Sequence, residues 1–252
     1  MAIRIQPLPV SAPGLHAFRW SSDERYTAMK ESYAIGRVER GRSSFVLRGK
    51  VWDSAPGALH LRQPGDVHRD VAHDGPVSMA VVAFPASVVE RIAGKVRVHP
   101  VLAPGDPRGA AFERLHDAIV AGADRLALEV AVAEALAALA AAGDAERTET
   151  RPVRRALDLL RARLGEAITL DDLATHAGLD KYHLCRAFRA QVGMPPHAYL
   201  THLRVARAKE LLAAGTRPRD VAPLVGLYDQ SQLNRHFRRI VGTTPGRYAR
   251  SV

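Results

Sequence analysis

The 252-residue sequence contains one cysteine, Cys185, so the chain cannot close an internal disulfide. A lone thiol fits a reducing compartment. No apolar run approaches the roughly 18 residues needed to span a bilayer. Met1 to Val10 lacks the basic stretch and apolar core of a secretory signal, so a cytoplasmic location without membrane attachment is expected. P-loop, nucleophile-elbow and dinucleotide-binding patterns are also absent, and neither an enzymatic centre nor a cofactor is expected. What is present is the balance of a soluble globular protein, 47% hydrophobic and 25% charged, at a length comfortable for two domains.

Charge is the first sign that the halves differ. Residues 1–150 hold 18 Lys and Arg against 18 Asp and Glu, whereas residues 151–252 hold 18 against 8. The whole net charge of +10 therefore lies in the C-terminal part. A basic domain beside a neutral one suits a polyanionic partner, because phosphate contacts and counterion release supply most non-specific nucleic-acid affinity. A solvated, solubilising surface is the alternative on charge alone.

Hydrophobic patterning divides the chain further. Between Tyr26 and Pro85, short runs bounded by Gly and Pro predict antiparallel strands at Tyr33–Val38, Ser44–Leu47, Ala58–Leu61 and Val77–Phe84. From Pro107 to Ala142 the period becomes helical. Phe112, Leu115 and Ile119 form one stripe, Leu128, Val132, Leu136 and Leu139 another, and Gly122-Ala-Asp124 separates them into a helical hairpin. The second stripe must be buried on the β-rich domain or on a second copy of the chain, and a homodimer contact is the expectation. The segment 143–150 is polar and aperiodic and reads as a linker. The expected organisation is therefore 1–105 β-rich, 106–142 hairpin, 143–150 linker and 151–252 basic helical domain.

Within the basic domain the sequence repeats. Leu184, Arg186, Phe188, Arg189, Val192, Gly193, Pro196 and Tyr199 recur 49 residues later as Leu233, Arg235, Phe237, Arg238, Val241, Gly242, Pro245 and Tyr248. Upstream, Asp172, Ala174, Gly178 and Leu179 recur 48 residues later as Asp220, Ala222, Gly226 and Leu227, which places one extra residue in the second turn. Each copy reads as short helix, glycine turn, longer helix, the helix-turn-helix pattern. Thr169-Leu-Asp-Asp172 has capping-box spacing, and Asp180 is placed to cap the helix that follows. At 100° per residue, Tyr182, Cys185, Arg186 and Arg189 share the outward face of the longer helix in the first copy. Ser231, Asn234, Arg235 and Arg238 do so in the second. Arg suits guanine, Asn suits adenine, and Ser and Tyr are adaptable, so such a face fits a major groove. A single copy would fit an ordinary helical domain equally well; two copies in the basic half favour DNA.

Residues 153–250 resemble the AraC/XylS family of bacterial transcription regulators. The resemblance rests on Gly226-Leu-Tyr-Asp-Gln-Ser-Gln-Leu-Asn-Arg-His-Phe-Arg-Arg-Ile-Val-Gly-Thr-Thr-Pro-Gly-Arg-Tyr248 and on Arg204-Val-Ala-Arg-Ala-Lys-Glu-Leu-Leu212. It implies an α+β protein with a cupin-like antiparallel β-barrel and helical hairpin, then an all-α domain in which a helix over Pro196–Leu212 joins two helix-turn-helix units. By position it implies that Lys181, Tyr182, Cys185 and Arg186 contact double-stranded DNA in the first unit, and Gln230, Ser231, Gln232, Asn234 and Arg235 in the second. A small-molecule effector, in the manner of the family's sensor domain, and RNA polymerase are further expected partners of the homodimer, and family habit favours activation over repression. Pro223 departs from the pattern, and a kinked or very short helix is expected around it.

In the N-terminal half, Pro64-Gly-Asp-Val-His68, preceded by Gly57, resembles the turn of cupin-like barrels, which implies that His68 faces the barrel interior as an effector contact. A His68 that only ties down its turn is the alternative. Tyr33 and Arg37 share strand parity and are further ligand candidates. The His-x-His and Glu set of metal-dependent cupins is missing near Met29-Lys-Glu-Ser-Tyr33, so no metal site is expected. Two other readings remain at this point: a ligand-independent regulator whose barrel only dimerises, and a metal-dependent cupin enzyme fused to a DNA-binding domain.

Overall fold

The computed structural model describes residues 4–10, 15–142 and 149–250. The chain divides into two compact units, Met1–Arg147 and Thr148–Val252. Residues 143–148 of the expected linker lie outside the described residues.

The first unit is built on eight antiparallel strands, β1 (Arg4–Pro7), β2 (His16–Ser22), β3 (Thr27–Met29), β4 (Tyr33–Leu47), β5 (Lys50–Ser54), β6 (Leu59–Arg62), β7 (Val67–Phe84) and β8 (Val101–Leu102). The sheet runs β1-β2-β7-β4-β6-β8, with β3 added to β7 and β5 to β4. The runs read as separate strands at Tyr33–Val38 and Ser44–Leu47 are the two ends of the single long strand β4. Its register against β7 slips between Val38 and Arg40, between Arg40 and Arg42, and between Ser44 and Phe45. Such bulges bend a strand without ending it. Gly41 sits at this bend with φ +82°, and a Cβ there would lie 2.5 Å from the Pro76 carbonyl oxygen of β7, so only glycine fits. One half of each long strand can then serve one part of the sheet and the other half another: Tyr33–Val38 pairs with Met79–Phe84, and Phe45–Leu47 with His68–Asp70.

Side-chain parity along these strands separates two environments. Tyr33, Ile35, Leu59, Leu61, Val82 and Phe84 enter one buried cluster with residues of the helices α1 (Ala86–Ala93), α2 (Ala110–Val120) and α3 (Arg125–Ala141). Their neighbours Ala34, Gly36, His60, Arg62 and Val81 face the opposite way, into a cavity. The hairpin of α2 and α3 is thus the lid of the domain's own core. Leu128 and Leu139 lie in that cluster, with Val132 and Leu136 packed against it, so the stripe expected to meet a second copy is used internally. Asp124 caps α3 by accepting from the Ala127 amide.

The second unit contains α4 (Arg151–Ala162), α5 (Leu170–Ala177), α6 (Lys181–Val192), α7 (Pro196–Ala213), α8 (Pro218–Leu224), α9 (Gln230–Val241) and α10 (Pro245–Ala249). Helical spacing in the sequence puts Val153, Leu157, Leu160 and Leu164 on one stripe ending at Gly165; the first three are buried in α4, but the helix stops at Ala162, before Leu164 and Gly165. Pro223 is the penultimate residue of α8, a helix of seven residues, so the missing amide falls where the helix is ending anyway. Val221, Ala222 and Val225 still pack beneath Leu233 and Phe237 of α9 and Val205, Ala208 and Leu212 of α7.

Two features of the fold lead to direct tests. In the first unit Arg48 and Asp66 form a buried bidentate pair, Nε to Oδ1 at 2.9 Å and Nη2 to Oδ2 at 2.9 Å. Asp66→Ala leaves a buried guanidinium uncompensated and should cost about 3 to 5 kcal/mol in urea unfolding of this unit. In the second, Gly226 has φ +72° and a Cβ there would lie 2.6 Å from the Gly165 carbonyl oxygen. Gly226→Ala should cost about 1 to 3 kcal/mol and lower the melting temperature of the helical unit, whereas Gly215→Ala, where a Cβ meets nothing within 4 Å, should cost less.

Candidate functional site

The repeat in the sequence becomes a repeat in geometry. α6 and α9 are both 12 residues long and begin exactly 49 positions apart. Asp180 accepts from the His183 amide and Asp229 from the Gln232 amide, so each helix starts on an aspartate cap. Each ends on a left-handed glycine, Gly193 at φ 96° and Gly242 at φ 82°. The recurring aromatic pairs meet edge to face, Phe188 with Tyr199 at 5.8 Å and Phe237 with Tyr248 at 5.5 Å between ring centroids. Leu184, Phe188, Leu233 and Phe237 are fully buried. These contacts leave each long helix with one free face.

On α6 that face carries Lys181, Tyr182, Arg186 and Arg189, all exposed, and Cys185, half-buried. Tyr182 is 70% exposed, and the Arg186 guanidinium lies 6.0 Å from its ring centre. Lys181 pairs with Asp171 at 2.9 Å from the start of α5. On α9, Gln230, Ser231, Arg235 and Arg238 are exposed, and Gln232 and Asn234 half-buried. Gln232 is partly committed, since its Oε1 accepts from the Tyr228 amide at 2.8 Å, leaving its amide nitrogen for other partners. Ser231, Asn234, Arg235 and Arg238 line one surface hollow together with Arg239. Sequence reading missed Arg239, which follows Arg235 by one helical turn and donates to His236 Nδ1 at 3.1 Å. His236 is held below its usual pKa by burial and by the Arg239 and Arg235 charges, which suits an uncharged acceptor. The extra residue of the second turn is Tyr228, 93% exposed at the foot of this face.

The two helices are also tied together within the unit. Arg204 of α7 donates from Nε to the Leu164 carbonyl at 2.8 Å and from Nη2 to the Glu166 carbonyl at 2.7 Å. Gly226 closes against Gly165 in the same loop, so the turn of the second unit rests on the segment that leads into the first.

In the β unit, a cavity of about 50 Å³ is lined by Trp20, Tyr26, Lys30, Phe45, His60, Arg62, His68, Asp70 and His73 among others. His68 lies among these residues, at the start of β7 beyond the Pro64-Gly turn. Lys30 is brought beside it by backbone bonds to the same turn, its amide donating to the Asp66 carbonyl at 2.8 Å and its carbonyl accepting from Gly65 at 2.7 Å. Burial keeps His60 and His68 far below the usual histidine pKa, with Arg62 and Lys30 acting in the same direction. Burial and the Arg62 charge lower Lys30 to about 8. Burial pulls Arg62 down to about 10.

Tyr33 and Arg37 do share a face, but it is the helix-packed one. The Tyr33 hydroxyl meets the backbone of Val96, and Arg37 pairs with Asp117 at 2.5 Å and Glu113 at 3.3 Å of α2. Of the three ligand candidates only His68 lines the cavity; in the first half of β4 the odd positions Tyr33, Ile35 and Arg37 are committed to the core and its helices. Lys30, His60 and Arg62 escaped sequence reading. Two cationic or basic residues in the otherwise apolar strand Leu59-His-Leu-Arg62 were the available signal. No cluster of His, Cys, Asp and Glu suited to a metal is found among the described residues.

Comparison with known proteins places both units. The profile described as the AraC-like ligand binding domain matches residues 13–140, and that described as a helix-turn-helix domain matches 173–251. The HTH-type transcriptional regulator YbfI of Bacillus subtilis is 40% identical over 81 residues, 32% of this chain and 30% of that one. The HTH-type transcriptional activator AarP of Providencia stuartii is 33% identical over 90 residues, 35% of this chain and 67% of that one. The match to YbfI thus spans less than a third of that protein's length. ToxT of Vibrio cholerae shares the fold at 10% identity, with a TM-score of 0.50 over 95% of this chain and 99% of that one. These families and relatives are transcription regulators, not enzymes. No helix among the described residues is long and apolar enough to cross a membrane. With a ligand-binding profile over half of its length and paired helix-turn-helix units behind it, the chain belongs to the AraC family of DNA-binding transcription regulators.

Proposed function

We propose that this chain is a sequence-specific regulator controlled by a small molecule bound in the β-unit cavity, with α6 and α9 reading successive major grooves. The observation that carries the reading is the equivalence of α6 and α9: the same length, the same caps, the same buried leucine and phenylalanine and the same exposed arginines. Lys181, Tyr182, Cys185, Arg186 and Arg189 form the first reading face, and Gln230, Ser231, Gln232, Asn234, Arg235 and Arg238 the second. Arg186 and Arg235 occupy equivalent positions, exposed and among the central outward residues of each helix, where a bidentate contact to guanine is the natural use. Cys185 serves as a small residue on this face. Activation, through a contact with RNA polymerase, is the regulatory mode we assign. For the effector to act, it must bind two states of the chain with unequal affinity.

A second copy of the chain completes the assembly. Leu126 is 71% exposed and Val130 51% exposed on α3, one turn apart on the side away from the core. Ala133 and Ala137 continue this stripe at the next turns. Such a stripe is flat enough to meet its own copy across a twofold axis.

Selection of bound sites from random duplex DNA with the full chain should enrich two motifs about one helical turn apart. Binding that only fades with salt, with no motif enriched, would reduce the basic unit to a generic polyanion binder. On the selected site, Arg235→Ala and Arg186→Ala should each cost about 1 to 3 kcal/mol and relax preference at one position. An equal loss on every sequence assigns that arginine to the phosphates instead. In sedimentation, Leu126→Glu with Val130→Glu should convert a dimer to a monomer while the melting temperature stays within about 2 °C; an unchanged assembly would remove α3 as the contact.

A further inference from the structure

The cavity of the β unit has an unbalanced charge. Its lining holds two cationic side chains, Lys30 and Arg62, and a single carboxylate, Asp70. Asp70 is already engaged, with His73 Nε2 at 3.2 Å and the Tyr26 amide at 3.3 Å. Asp66, which is not in the lining, also acts on Lys30 and Arg62 through its charge, but its carboxylate is taken up in the bidentate pair with Arg48, so that pair leaves the balance unchanged. Among the described residues no carboxylate lies within ion-pair distance of Lys30 or Arg62. Arg62 is instead held by neutral acceptors, the Leu61 and Pro100 carbonyls and His60 Nδ1, and lies on the Phe45 ring at 4.5 Å. His60 is used up between Arg62 and the Ser54 hydroxyl. Two polar atoms remain in the wall with no hydrogen-bond partner, Nδ1 of His68 and Nδ1 of His73. His68 is 4% exposed, so water does not serve it from the outside.

A cation in a cavity wall with no ion-pair partner and unpartnered buried imidazole nitrogens are costly, and an anionic ligand would satisfy both. We propose that the cavity takes a short-chain organic carboxylate, its charge held by Lys30 with Arg62 behind it, its oxygens accepting from His68, and its carbon chain lying against Trp20, Phe45 and Met79. The inference rests on the reading of this unit as the effector-binding one and names the chemical class of the effector. Size points the same way: about 50 Å³ suits the smallest carboxylates, of acetate size, and not a ring system, for which a cavity of roughly 150 Å³ is needed. One negative charge matches the imbalance of two cations against Asp70. The neutral histidines favour an acceptor-rich ligand, because an imidazole with its second nitrogen free can donate to an oxygen.

The test uses the full chain and the sodium salts of acetate, propionate and butyrate, each beside its uncharged amide and beside sodium chloride at equal ionic strength. Tryptophan fluorescence, to which Trp20 in the wall contributes, and the melting temperature report binding. We expect at least one of the acids to bind about tenfold or more tightly than its amide. Lys30→Met should abolish that preference, Lys30→Arg should retain part of it, and the ligand-free Lys30→Met chain should melt no lower than the parent. The last result separates a binding lysine from a structural one, since removing a charge that has no partner relieves strain whereas removing a structural pair adds it. Amides binding as well as acids, no response to any of the three acids, or a Lys30→Met chain that melts lower yet still prefers acids would each overturn the inference. If an acid binds through Lys30 and DNA affinity on the selected site does not change, the carboxylate site stands and the effector reading fails; an amide that binds and shifts DNA affinity does the reverse.

Discussion

Everything the helical unit can do depends on how α6 and α9 are held relative to each other, and that rests on α7, whose Tyr199 packs on Phe188 of α6 and whose Val205, Ala208 and Leu212 pack with Leu233 and Phe237 of α9, braced by a small polar contact. Arg204 ties the connecting helix to the two carbonyls that follow α4, and Gly226 packs against Gly165 in the same loop. Each helix-turn-helix copy has its own aromatic pair and buried leucine, and could satisfy its local packing without the other. The continuous helix α7 and this clamp together remove the freedom between them. Desolvation lowers the Arg204 pKa, yet a guanidinium stays charged at any physiological pH, so the contact does not switch off with acidity. A reader that must present two faces at a set spacing gains more from such a joint than from further stability within either copy, because a misplaced second helix forfeits its contacts altogether.

The β unit is governed by a different constraint, the alternation of side chains along β4, β6 and β7. One parity is spent on the core beneath α1, α2 and α3; the other lines the cavity with small residues on β4, Ala34 and Gly36, and with basic ones on β6, His60 and Arg62. The small residues make the room and the basic ones make the chemistry. The bend at Gly41 lets β4 and β7 fold over on themselves, so that His68 and Lys30 from one end of the sheet reach the same space as Trp20 and Met79 from the other. The cavity is therefore a consequence of closing the sheet and needs no element of its own.

Much of this was legible in the sequence where the signal is local. The caps at Thr169 and Asp180, the glycine turns, the extra residue in the second turn and the outward arginines all depend on spacings of a few residues. The hairpin stripes were legible too, but not which surface would cover them, because burial of Leu128 and Leu139 depends on contacts with Ile35 and Leu59 far away in sequence. The same blindness affected Tyr33 and Arg37. Strand period correctly put them on one face, but which face meets the cavity is decided by the sheet's curvature and by α2, neither of which a period reveals. Lys30 was passed over because the motif around it was searched for histidines.

The repeat itself distinguishes what holds the fold from what gives it a use. At equivalent positions of α6 and α9, Leu184 and Leu233, Arg186 and Arg235, Phe188 and Phe237, and Arg189 and Arg238 are the same residue, whereas Lys181, Tyr182 and Cys185 face Gln230, Ser231 and Asn234. The shared leucines and phenylalanines are buried, and their retention follows from packing. The divergent positions lie on the outward side, where packing exerts no pressure toward sameness. Two copies serving one solvated surface would have no reason to keep both arginines. Two copies reading identical half-sites would have no reason to diverge around them. In the reading proposed above, retained arginines within a divergent face correspond to a phosphate or guanine met by both helices and a different neighbouring base met by each.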